Sequence, residues 1–313
     1  MKRVLVLLAV AACSAASEDV CRAPLTKDMD LLGAHLTMRV PSQVRIEQRQ
    51  RSIMAAPESQ QEETRAVIGS SGSEMIFVVQ ELFATPPGDF EGAVRKDLGN
   101  DPVKVQRAEL QQPLKGFAFF PAAPQAQANL LWGAYIAHPD GTVQRIAFYG
   151  DRPQAQLPEE CPSQARRMAA TLRPGSRRLS LTGGRAKFGN RFGLQLPPGY
   201  VTSEQRGPDF IVYKVKKIAA LGTKPASLGL YVGNFPSYQG TSGKVIPVTL
   251  FGKSSQWHES RTPGAMNADA LVVLSDTVQG NFHLREYAHV FIRAQEAKEL
   301  EELEKAAATL TMP

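Results

Sequence analysis

Two pairs of matching segments set the plan of this chain. Leu36–Val44 (LTMRVPSQV) and Phe192–Tyr200 (FGLQLPPGY) each run from an alternating apolar strand into a proline turn. Met168–Leu172 (MAATL) and Ala306–Leu310 (AAATL) match as well, and a proline follows each within a few residues. A strong strand precedes each closing segment, Val143–Tyr149 in one case and Tyr287–Arg293 (YAHVFIR) in the other. Because the order of elements agrees, the chain reads as a tandem duplication of one unit, with chance likeness of short amphipathic pieces as the alternative. Cys161–Tyr200 then holds the closing helix of one copy and the opening strand of the next, back to back. That predicts a first domain over residues 29–174, a linker over 175–187 and a second domain over 188–313. The length of 313 residues exceeds what one typical core fills.

The N-terminus sets the compartment. Lys2 and Arg3 precede Val4–Ala12 (VLVLLAVAA), an apolar run too short to cross a bilayer and of the length of an export signal. Two cleavage readings compete. Val10-Ala11-Ala12-Cys13 resembles a bacterial lipobox, which implies a signal peptide over 1–12, a diacylglyceryl group on Cys13 and a tether over 13–28. Under that resemblance Ser14, in place of an aspartate, implies the outer membrane, facing the periplasm or the cell surface. Ordinary cleavage at Ser14-Ala15-Ala16 is the other reading and implies a soluble periplasmic or secreted protein. In either case Cys21 and Cys161 remain as an even pair in an oxidising compartment and are expected to form a disulfide. Removing the signal lowers the net charge only from +6 to +4, the basic residues are scattered, and nucleic acid is not an expected partner.

Along the chain, 22 prolines and 25 glycines punctuate short apolar runs, the pattern of many turns and strands. Strands are predicted at Leu36–Val40, Glu74–Ala84, Leu114–Phe120, Asn129–Ala137 and Val143–Tyr149, the last two joined by a hairpin turn at His138-Pro139-Asp140-Gly141. Asp89 caps a predicted helix over Phe90–Leu98, and a second helix covers Pro162–Leu172. Strands follow at Arg191–Leu196, Pro208–Lys216, Ser227–Gly233, Lys244–Phe251, Gln256–Ser260 and Ala268–Ser275, with no counterpart of the Phe90 helix. The expected fold class is α+β: two similar units, each a mainly antiparallel sheet with covering helices. An opening strand ending in Pro-Pro-Gly-aromatic, an antiparallel meander and a closing helix ending in "ATL" resemble the PsbP-like α/β/α sandwich superfamily. That resemblance implies a non-enzymatic assembly factor, regulator or envelope lipoprotein. Two such units behind a lipoprotein signal also resemble, in architecture alone, the periplasmic immunity proteins of type VI lipase effectors.

Catalytic and metal-binding patterns are not apparent. His35, His138, His258, His283 and His289 have no acidic or cysteine partner at ligand spacing, so no metal or other cofactor is expected. Trp257-His258-Glu259 has the residue types for acid–base work, but strand neighbours point to opposite faces. Gly69–Ser73 departs from a nucleophile elbow, and Gly183-Gly184 from a phosphate loop. The remaining candidate is aromatic: Tyr231, Phe235 and Tyr238 around an Asn-Phe-Pro turn, with Trp257 nearby, as contact anchors or as side chains packed on the sheet beneath. The expected function is therefore non-enzymatic binding of another protein by a lipid-anchored envelope protein, in toxin neutralisation or envelope assembly. A periplasmic carrier of a lipid or other apolar ligand is the alternative.

Overall fold

The computed structural model describes residues 20–46, 63–70, 73–123, 129–153, 156–178, 181–206, 209–238, 243–279 and 282–312. The signal segment and Cys13 lie outside the described residues. The first half contains β1 (Lys27–Leu31), β2 (Leu36–Val40), β3 (Val44–Ile46), β4 (Glu63–Ser70), β5 (Ser73–Glu81), β6 (Ala84–Thr85), α1 (Phe90–Leu98), β7 (Val103–Arg107), β8 (Lys115–Pro121), β9 (Leu130–Ala137), β10 (Val143–Gly150), α2 (Glu160–Ala169) and β11 (Arg173–Pro174). The second contains β12 (Gly184–Phe188), β13 (Phe192–Leu196), β14 (Tyr200–Arg206), β15 (Phe210–Lys217), β16 (Ala219–Ala220), β17 (Ser227–Gly233), β18 (Lys244–Leu250), β19 (Lys253–Thr262), β20 (Ala265–Gln279), β21 (Phe282–Ala294) and α3 (Ala297–Ala307).

Each half builds a seven-stranded sheet, ordered β3-β4-β5-β10-β9-β8-β7 in the first and β14-β15-β17-β21-β20-β19-β18 in the second. The two orders describe one connectivity, three strands followed by a crossover and a four-strand return, and every pairing is antiparallel. Closure is also alike. After α2 the chain returns through β11 to pair with β2, and after α3 Thr311 bridges Gly193 on β13. The hydroxyl of Thr171 accepts from Arg39 N at 2.8 Å and donates to Met168 O at 2.6 Å. Thr309 makes the same two bonds, accepting from Gln195 N at 2.8 Å and donating to Ala306 O at 2.6 Å. The shared "ATL" segment is thus a clasp: threonine ties the helix end to the opening hairpin, and Leu172 or Leu310 is buried beside it.

The α+β expectation is corrected by this arrangement. Strands hold 54% of the described residues and helices 12%, in three short helices, so the protein is mostly β and is not a helix-covered sandwich. The cause is the opening strands. Leu36, Met38 and Val40 are buried as their alternation predicts, but β2 pairs with β1 and β11 in a separate small sheet that packs on the inner core of the first half. Likewise β12 and β13 form their own ribbon, with Gly184–Phe188 a strand where a linker was expected. Alternation reports one buried face and carries no information about which sheet a strand joins. Small sheets therefore take much of the area that helices were expected to cover.

Helix α1 is locally encoded. Asp89 Oδ1 accepts from Gly92 N at 2.9 Å, Glu91 and Arg95 pair one turn apart, and Gly99 ends the helix at φ 63°. Val94 and Leu98 seal the outer face of the first sheet against Phe119, Tyr135 and Ala147. Leu221, from the second half, joins that cluster, because β16 pairs in parallel with β6. In the second half the corresponding crossover is the loop after β17. Helix α3 packs only into the inner core, through Leu300, Leu303, Ala306 and Ala307. Among the described residues no helix covers the outer face of the second sheet.

Candidate functional site

On that outer face the strand registers align a band of rings. Tyr231 pairs across strands with His289, and Gly229 with Phe291; Asp269 lies opposite both Phe291 and His258. Gly229 has a physical reason: a Cβ there would lie 2.0 Å from the Phe291 ring, which covers the backbone. Tyr231 stacks on Phe210 with centroids 5.5 Å apart. Tyr238 meets His258 edge-on at 5.9 Å and His289 at 5.5 Å, and Phe291 sits 5.2 Å beyond His289. Asp269 accepts from His289 Nε2 at 3.0 Å and Arg293 Nη1 at 3.2 Å. Burial opposes its charge, but these two partners prevail and hold the carboxyl below its ordinary range. The tyrosine hydroxyl of Tyr231 accepts from Phe235 N at 3.1 Å, fixing the turn so that the Phe235 ring is 77% exposed.

Three of the four aromatic candidates are therefore on one surface: Tyr238 and Tyr231 packed on the sheet, Phe235 projecting. Trp257 is elsewhere, 3% exposed in the second core, because it precedes outward-facing His258 on β19. Glu259 also points inward and is buried, receiving Arg261 Nε at 2.7 Å. Glu304 on α3 presents a buried Oε1 that has no donor among the described residues. Burial, followed by the neighbouring Glu259 carboxyl, pushes Glu304 up to about 7.

A second cluster, invisible to motif spacing, sits where two turns of the first half meet. His35 follows three consecutive left-handed residues, Leu32 (φ 53°), Gly33 (φ 62°) and Ala34 (φ 68°). Its Nδ1 lies 2.6 Å from Glu81 Oε2 and its Nε2 lies 2.7 Å from Asp140 Oδ2. Asp140 belongs to the β9–β10 turn, where Thr142 donates to Oδ1 from both its amide and its hydroxyl, at 3.1 and 2.7 Å. His138 Nδ1 lies 2.8 Å from the same oxygen. Gln144 Nε2 holds Glu81 Oε2 at 3.1 Å and Thr142 Oγ1 at 2.7 Å. Burial lowers His35, but Asp140 and Glu81 outweigh it and raise it to about 9. Burial acts against charge on Asp140 too, yet the bonds from His138, His35 and Thr142 hold it well below the carboxylate range. His35 and His138 come from positions about a hundred residues apart, so only the tertiary fold unites them.

Cys21 and Cys161 form a disulfide with Cα atoms 4.5 Å apart, tying the N-terminal segment to α2. Gln164 Nε2 reinforces the tie by donating to Ala23 O at 2.7 Å. A pocket of about 340 Å³ beside the disulfide is lined by Glu74, Asp151 and Arg152 as well as Leu131 and Leu157, a mixed surface rather than an apolar chamber. Comparisons with protein-family models, with curated proteins and with solved structures find no match to this chain.

Proposed function

We propose that this is a non-enzymatic cell-envelope protein, anchored by lipid at Cys13, that binds another protein through the outer face of its second sheet. One observation carries the reading: among the described residues, the face that α1 covers in the first half has no covering helix in the second. It carries Phe210, Tyr231, Tyr238 and Phe291 half-buried, with Phe235 exposed at its rim. Large, rigid rings with polar tips beside a paired Asp–His–Arg group have the composition of a protein contact surface. The apolar-ligand carrier draws no comparable support, since the pocket by the disulfide is charged and partly open.

The test combines capture with mutation. A photo-crosslinking residue at Phe235 in the native cell envelope is expected to trap one partner that the same residue at exposed Lys104, on the first sheet, does not. Phe235→Ala with Tyr238→Ala should then weaken binding of the purified partner by about tenfold or more. Unchanged affinity removes the face from the proposal. Labelling by radioactive palmitate, lost in Cys13→Ala, tests the anchor separately.

A further inference from the structure

We infer that His35 Nε2, His138 Nδ1 and the Asp140 carboxylate form a binding site for one divalent cation of the zinc type. The three groups offer ligand atoms within 4.8 Å of one another, and both histidines are buried. Two nitrogens and one carboxylate oxygen are a donor set for zinc rather than for calcium or magnesium.

The hydrogen bonding points the same way. His138 Nδ1 lies 3.3 Å from Asp140 N and 2.8 Å from Asp140 Oδ1, so this ring nitrogen is held facing the carboxylate. His138 Nε2 is buried with no partner among the described residues, so Nδ1 is the ring nitrogen turned to the site. A shared cation would replace the proton that now bridges Nδ1 and Oδ1, 2.8 Å apart. On the other side Glu81 accepts from His35 Nδ1 and leaves Nε2 to face Asp140 Oδ2. This is the carboxylate–histidine arrangement that orients imidazole ligands, and Glu81 is itself held by Gln144. One divalent cation would balance the charge of the Glu81 and Asp140 carboxylates. Tetrahedral ligation requires the nitrogen–oxygen pairs to open by about 0.5 Å. The Asp140 side chain, 11% exposed, marks the route of entry and the side from which solvent completes the shell.

Backbone strain is concentrated at the same place. Leu32, Ala34 and Phe83, the last two residues beyond Glu81, are non-glycine residues at positive φ. Gly175 N and Arg177 N donate to His35 O and Ala34 O, both at 2.9 Å, so the segment after β11 that leads to the second half lies on the His35 turn. A cation here would fix the turn from which the second half departs.

The experiment uses the full chain, stripped with chelator and titrated with zinc chloride against a chromophoric competitor. One equivalent should bind with submicromolar affinity. His35→Ala or Asp140→Asn should weaken it by at least a hundredfold, and Glu81→Gln by tenfold to a hundredfold. His258→Ala should change nothing. Imidazole NMR signals of the unaltered protein supply a readout that needs no variant: zinc should shift those of His35 and His138 and leave those of His258 and His289 in place. No binding of zinc or cobalt(II) by the unaltered chain, affinity retained in His35→Ala, or zinc shifts confined to His258 and His289 overturns the inference.

Discussion

Replacing Thr309 with valine removes one hydroxyl and keeps the shape of the side chain. That hydroxyl accepts from Gln195 N at 2.8 Å and donates to Ala306 O at 2.6 Å. Ala306 O retains a second donor, Thr309 N at 3.0 Å, and Gln195 is exposed, so water replaces part of the loss. Two hydrogen bonds at about 1 kcal/mol net each, discounted for that rescue, give about 1–2 kcal/mol. In urea, with a slope of about 2–3 kcal/mol/M, the midpoint of the affected transition should fall by about 0.5 M with the slope unchanged. Thr309→Ser keeps the hydroxyl and should recover most of the difference. Thr171→Val should cost a similar amount, because Thr171 makes the same two bonds at the same lengths. A Thr309→Val midpoint within 0.1 M of the parent, or a serine variant as unstable as the valine one, refutes the clasp.

Reducing the Cys21–Cys161 disulfide, or replacing both cysteines with alanine, frees a loop of 140 residues and should cost at most about 5 kcal/mol, read as a drop in Tm on adding reductant. For the carboxyl pair, Glu304 has a folded pKa raised above its unfolded value, so the folded state binds the extra proton. Its contribution to stability is complete below about 4.5 and is lost as pH rises to about 7, a loss of about 1–2 kcal/mol after allowance for solvent screening. Glu304→Gln should flatten that slope in urea titrations between the two pH values. Gly133→Ala should destabilise more than Gly229→Ala: each Cβ meets a phenylalanine ring, but Phe119 is sealed under α1, whereas Phe291 lies on the open face and can swing away. Equal midpoints for the two variants would contradict that difference in confinement.

What could be read from the residues follows from how local the cause is. Phe90–Leu98 was legible to the residue because Asp89, Gly99 and the apolar spacing all act within one helix. Ser227–Gly233 was legible as well, since its apolar run ends in turn residues. By contrast Gly184–Phe188 carries two basic residues and two small ones, and becomes a strand only because Phe192–Leu196 folds back on it. Ala265–Gln279 runs past its apolar segment because the polar end is paired with Phe282–Ala294 and needs no buried face. The aromatic surface was partly legible, as its turn is continuous in sequence, while Trp257 was misplaced until the facing of β19 was known. The His35 cluster was not, for its members sit on turns that only sheet packing brings together.

The clasp has a further consequence, one of chain path. In both halves the closing segment is bonded to the opening hairpin, so the chain enters and leaves each unit at nearly the same point. A unit whose ends meet can be copied head to tail, and either copy keeps its path. Parts that do not touch the clasp can then differ between the halves. The crossover helix is such a part: one half has it over its sheet, and the other has the aromatic turn at that crossover.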